Sequence, residues 1–281
     1  MMVTQFDDSR LLLVLQIDHS RLAGFLAAHW GNQTFAPPRP FTSVVLAAQE
    51  HDSGWGEWEM KPSTLNNQGF PLDYHDGSLK YLGQFRLDFY KNAVDRVAQR
   101  DPYAALVILM HGVGLMNAGY GMFAYPPDRS ADPRVQEYIR HQEALRIKLL
   151  DDLRRSESFR EVATDDHIWM NFKLMEIFDQ MAQFLCNRYQ LNSKARHYGP
   201  TNTLNNVPAP TGPGRGDVTL TLDTIDEQRA ILRPYPFDVD PLNIFFPARL
   251  VPKRSYSSEE EFLREFYKAE RITITYSVQS G

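Results

Sequence analysis

Asp179 constrains this chain more than any other single residue. It lies in KLMEIFDQMAQFLC, a stretch so apolar that a helix built from it buries most of its surface. Its face of that helix includes Met175, Phe178, Ala182 and Cys186. An ionised carboxylate in such a setting is costly unless it is paired, hydrogen-bonded or bound to a metal. The fold must bring Asp179 a partner.

Three other stretches offer one. LAAQEHDSGWGEWE sets His51 and Asp52 side by side where an apolar helix ends, LQIDHSRLAG puts His19 near a helix start, and ALVILMHGVGLMNAG places His111 between an apolar run and a glycine-rich one. Singly, each has a plain structural reading: a polar residue in a first turn, a polar helix end, a buried histidine with satisfied ring nitrogens. Together they place one His on one helix, a His-Asp pair on the next and an Asp on a late helix, able to converge at the centre of a bundle. Imidazole and carboxylate donors suit divalent ions. Adjacent helical residues do not face the same way, so the pair works if one member acts from the helix end.

Along the chain, RLLLVLQ (10–16) predicts a strand and the segment ending at Gly31 a helix. Thr42 or Ser43 caps a helix that runs to the His-Asp pair. Residues 53–78, rich in Gly, Pro, Asn and Trp, predict a long ordered loop. Helical patterns follow over about 79–99, 103–117, 132–156 and 165–189. The stretch 192–217 has no apolar periodicity and reads as a loop or linker. DVTLTLDT, NIFFPARLV and RITITYSVQ then predict strands, with a capped helix over SEEEFLREFYKAE. The expected architecture is mainly α: a helical body at 1–191, a linker at 192–217, and a β-rich part at 218–281 packed on the body, α+β overall. The N-terminal strand is expected to pair with that β part.

A net charge of −5, from 30 basic and 35 acidic residues with no basic run, argues against a nucleic-acid partner. The one cysteine, Cys186, excludes an intramolecular disulfide and reads as a small core residue. No signal peptide and no run of membrane-spanning length is legible, so a cytoplasmic protein without a membrane partner is expected.

The order His19, His51-Asp52, Asp179 is similar to the H…HD…D signature of the HD-domain metallohydrolase superfamily. QIDHSRLAGFLAAHWG, AAQEHDSGWGEWE, LMHGVGL and IFDQMAQFLC together resemble an uncharacterised bacterial HD-like family without a settled activity. The likeness covers most of residues 10–190. It implies an HD-like helical bundle that holds one or two metals, with His19, His51, Asp52 and Asp179 as ligands and His111 as a further ligand or catalytic group beside Asp52. His141 is a further candidate on an amphipathic helix. Asp165, Asp166 and His167 rival Asp179 but read as a helix cap.

The leading expectation is a metal-dependent phosphohydrolase using zinc, manganese, magnesium or iron, acting on a small phosphorylated metabolite or nucleotide. The alternatives are a di-iron oxygenase and a non-catalytic ligand-binding module. Trp55, Trp58 and Tyr74 read as pocket lining or as loop packing, and NNQGFPLDYHDGS as a lid. Lys173 and Arg140 read as anion contacts or solvated faces, Gln16 as an orienting group or a strand-end polar residue, and GPGRG as linker. A β edge makes a homo-oligomer possible.

Overall fold

The computed structural model describes residues 1–60, 65–74, 84–122, 131–187 and 203–281. Strands β1 (Met2–Gln5) and β2 (Arg10–Val14) form a hairpin. Asp7 fixes its turn by accepting from the backbone N–H groups of Ser9 and Arg10 at 2.9 and 2.8 Å. At the far end of the chain lie β3 (Thr203–Pro210), β4 (Asp217–Thr224), β5 (Arg229–Arg233), β6 (Leu242–Pro252) and β7 (Glu270–Ser280). All seven form one sheet in the order β1-β2-β6-β7-β5-β4-β3, antiparallel except for β5 beside β7. β2 pairs with β6, Leu12 opposite Leu250, which joins the two ends of the chain.

Among the described residues the helices are α1 (Gln16–Ala28), α2 (Phe41–Glu50), the short α3 (Gly56–Met60), α4 (Gln84–Ala98), α5 (Pro102–Gly114), α6 (Pro133–Arg155), α7 (Asp165–Asn187) and α8 (Glu259–Lys268). Asp101 and Asp132 cap α5 and α6 through their side chains, each ahead of a first-turn proline. Helix α7 touches both edge strands, β1 and β3, so the sheet curls around it. Its buried face, with Phe172, Met175, Phe178 and Leu185, fills the main core between that sheet and the other helices. On the outer face of the sheet, Phe262 and Phe266 of α8 cover Leu11, Leu13 and Val251.

This overturns the expectation of a mainly α, HD-like bundle with a β-rich appendage. A seven-stranded curled sheet built from both chain ends cradles the helices instead. Part of the segment read as linker is β3, while 192–202 lies outside the described residues. Its TLNNVPAP sequence hid the strand for two reasons. Proline is tolerated there because β3 is an edge. Asn206 takes a positive φ of 60° where the register shifts between Leu204 and Val207, so the alternation breaks.

Two local devices aim the helices. The N-cap position of α1, Leu15, offers no side-chain acceptor. The buried carboxylate of Glu59, from α3, takes the role, accepting from the N–H groups of Gln16 at 2.7 Å and Ile17 at 3.2 Å. At the other device, a Cβ on Gly54 would stand 1.8 Å from the backbone oxygen of Phe89 on α4. Only glycine lets α4 pack that closely against the turn after α2. Gly54→Ala is therefore expected to destabilise the protein by about 2–3 kcal/mol or more, read as a lowered urea midpoint; an unchanged midpoint would show that the two backbones do not meet there.

Candidate metal centre

Four elements deliver the polar cluster. β2 runs into α1, whose first turn carries His19. Helix α2 ends at His51, which stays in helical conformation, whereas Asp52 leaves it with φ −105° and ψ 14°. That change of direction turns two adjacent side chains onto one point. Helix α5 supplies His111, and α7 supplies Asp179 and Glu176. All six side chains are buried, at 0–5% exposure, so each must find its partner inside the protein.

They find one another. His19 Nε2 lies 3.0 Å and His51 Nε2 3.3 Å from Asp179 Oδ1. His19 Nδ1 lies 3.5 Å and His51 Nε2 3.6 Å from Asp52 Oδ2. The His51 ring stands edge-on to both His19 and His111, at 5.2 and 5.1 Å between centroids. His19, His51 and Asp52 form one group, and His51, His111 and Asp179 another, each with donor atoms within 4.8 Å of one another. Donors that share one ion at ~2.0–2.2 Å stand roughly 3.0–3.6 Å apart; His51 Nε2 has that spacing from both Asp179 Oδ1 and Asp52 Oδ2, while His19 meets the two aspartates through opposite ring nitrogens. The cluster is thus arranged as a cation site.

The ring nitrogens fit that reading. His51 Nδ1 donates to the Ala48 carbonyl at 2.8 Å, which leaves Nε2 as a lone pair. Among the described residues, neither His51 Nε2 nor His19 Nδ1 has a hydrogen-bond partner. His111 Nδ1 is held by Glu176 Oε1 at 2.6 Å, the carboxylate–histidine arrangement that orients a metal-ligating ring. Asp179 is braced in turn. Gln183 Nε2 donates to both its oxygens at 2.9 and 2.8 Å, and Gln183 Oε1 accepts from the Tyr74 hydroxyl at 2.7 Å. Beside them Arg86 is buried, with Nε donating to the Tyr90 hydroxyl at 3.4 Å. Burial works against its charge, but Tyr90, Tyr74 and Asp52 outweigh that.

Without a cation the charges are held as proton-bearing pairs. Burial disfavours charged His19, yet the carboxylates of Asp179 and Asp52 overcome it and raise its pKa to about 10. His111 is likewise raised to about 9, the charge of Glu176 overcoming burial. Burial would raise both aspartates, but the histidines lower Asp52 and hold Asp179 well below the carboxylate range. Burial pushes Glu176 up despite His111.

The other sequence candidates lie elsewhere. His141 lies on α6, exposed, beside the Gln142 amide. Asp165 pairs with Arg154, His167 meets Thr164, and Asp166 lies against Gly214 at the start of α7. Trp55 and Trp58 pack with Phe89 in a small cluster of their own. Lys173 pairs with Asp217 and Arg140 with Glu137. Gln16 is buried behind Glu59's cap, and GPGRG forms the turn between β3 and β4. Residues 75–78 of the expected lid lie outside the described residues. Sequence reasoning missed Glu176, Gln183 and Arg86. The signal for Glu176 was present: a carboxylate between Met175 and Ile177, three residues before Asp179, meets the same cost of burial.

A protein-family model described as "Protein of unknown function (DUF3891)" matches residues 1–253. The chain belongs to the DUF3891 family. The likeness to HD-domain proteins is corrected accordingly: the family is DUF3891, and its sheet-cradled fold is not the HD helical bundle. The H…HD…D order reflects four residues brought into one buried polar cluster by a different fold. No curated protein and no solved structure matches the chain. The DUF3891 match spans every residue of the cluster. Among the described residues, no helix is long and apolar enough to cross a membrane.

Imidazole ligates only when neutral, so cation binding must displace the protons on His19 and His111. Their folded pKa values are raised above 6.5. The stability they lend the metal-free protein is therefore complete below pH 6.5 and is lost as pH rises towards about 9 and 10. Cation affinity runs the opposite way, strengthening about tenfold per pH unit for each proton displaced. Titration of zinc at pH 7 in two buffers of different ionisation enthalpy is expected to report proton release. Binding without any release would show that these rings are not ligands.

Proposed function

We propose that this DUF3891 protein is a metal-dependent phosphohydrolase acting on a small phosphorylated metabolite or nucleotide. The observation that carries the reading is the buried convergence of His19, His51, Asp52 and Asp179 at coordination spacing, with a buried guanidinium beside it. Zinc, manganese or iron suits this mixed nitrogen and oxygen set better than magnesium, which favours oxygen ligands. When bound, a divalent cation supplies Lewis acidity: it polarises a phosphoryl oxygen and makes water acidic enough to act near neutral pH.

The chain's own groups supply the rest. Asp52, at the helix end, orients the attacking water and takes its proton on a carboxylate oxygen. His111, oriented by Glu176, stands with His51 and Asp179 as a further donor, and the departing oxygen takes its proton from water. Arg86 binds the phosphoryl oxygens through its planar donors. Gln183 and Tyr74 hold Asp179 in place. A di-iron oxygenase is less well supported, because it needs a donor set for each ion. The two donor groups among the described residues share His51, whose one free nitrogen serves a single ion.

Metal content by mass spectrometry on untagged protein is expected to show bound zinc, manganese or iron that is lost in the double variant His51→Ala, Asp52→Ala. The loaded protein is then expected to cleave a member of a phosphomonoester and nucleotide panel. Arg86→Lys should keep the metal and lower kcat/KM about 100-fold. No metal after reconstitution would end the metal reading, and metal without phosphoester turnover would end the hydrolase reading.

A further inference from the structure

The outer face of the sheet carries a pair of like charges beside α8. Arg249 of β6 stands directly opposite Arg271 of β7. Both lie on the outward side of the pleat. Phe246, Ala248 and Leu250 of β6 fill the main core on the inner side, whereas Val251, on the same side as Arg249, lies under α8. Like charges directly opposite on paired strands repel. Burial and then repulsion from Arg271 hold the Arg249 guanidinium below its usual pKa. A neutral residue at either position would relieve the sheet.

One member of the pair is fixed in place. The Arg249 guanidinium lies 4.5 Å from the centroid of the Phe266 ring, and its Nη1 donates to the Phe266 carbonyl at 3.1 Å. That contact holds it at the C-terminal end of α8 and leaves its other donors available. Arg271 is exposed and, among the described residues, has no hydrogen bond or ion pair. Asp18, in the first turn of α1, attracts both arginines, but it is half-buried and Arg21 already donates to it at 3.0 Å. Arg21, Arg249 and Arg271 thus share a single carboxylate, and positive charge is left over.

We propose that Arg249 and Arg271 bind a small phosphate dianion, either free phosphate or a phosphomonoester. A guanidinium presents paired N–H donors that match phosphate oxygens, and a dianion between the two turns their repulsion into attraction. The excess charge is confined to this point, which favours one small anion over a polyanion. The other arginines of β2, α8 and the loop between β6 and α8 are paired: Arg10 with Asp7, Arg264 with Glu260 and Arg254 with Glu261. The chain as a whole carries a net charge of −5. The inference does not rest on the metal or on hydrolysis, since the pair shares no residue with that cluster.

NMR of the arginine side-chain Nε–H groups tests it on the full chain, stripped of metal by a chelator. The signals of Arg249 and Arg271 are expected to shift on titration with inorganic phosphate at constant ionic strength, with Kd of about 1 mM or tighter. Arg249→Gln and Arg271→Gln should each weaken binding about tenfold. Ribose 5-phosphate separates the two sources: tighter binding than phosphate marks an ester ligand, and equal binding marks the free ion. Stability gives a second readout. Arg271→Gln should raise the urea midpoint in chloride buffer, because it removes the repulsion, and phosphate should then raise it less than it raises the wild type. The wild-type titration stands even if a variant fails to fold. No shift of any arginine signal, binding unchanged in both folded variants, or an Arg271→Gln midpoint that fails to rise in chloride would overturn the proposal.

Discussion

Two carboxylates buried on one helix set the terms for everything around them. Asp179 and Glu176 lie three residues apart on α7, within the main core, where unpaired charge is prohibitive. Their answer is three histidines from three other helices, at 2.6–3.3 Å. Removing one partner would strand a buried charge, so α1, α2, α5 and α7 are bound to one relative placement. Shape and charge balance are the same requirement here.

The sheet makes that placement possible. α7 touches both edge strands, and α1 starts where β2 ends, so the curled sheet fixes two of the four helices directly. Glu59 anchors the start of α1, and the close approach at Gly54 fixes the turn that presents Asp52. His19 thus owes its position to a strand on one side and a short helix on the other. Neither contact touches the cluster.

The residues of the candidate site could be named from the sequence more readily than the fold could. Polar groups on apolar helices stand out, because burial makes them costly; His19, the His51-Asp52 pair, His111 and Asp179 all carried that mark. Glu176 carried it too and was passed over, since its role depends on a ring 65 residues away. Gln183 and Arg86 look like ordinary helix-surface residues, and only packing buries them or aims them inward. The sheet was hard to read for local reasons. β1 is four residues long and β5 five. Pro247 interrupts β6 where β7 is its only neighbour, because pairing with β2 begins at Arg249. β3 breaks its alternation at Asn206. What joins these pieces is pairing between chain ends, which no local window contains.

That pairing bears on how the protein assembles. His19 and Asp179 are 160 residues apart, and the strand leading into His19 closes against one near the C-terminus. Such distant contacts carry a large loop-closure entropy and slow folding. The unfolded chain holds histidines and aspartates but no preformed donor set. The free energy of cation capture therefore accrues to the folded state alone, and a bound ion would act as a latch that closes only after both ends of the chain have met.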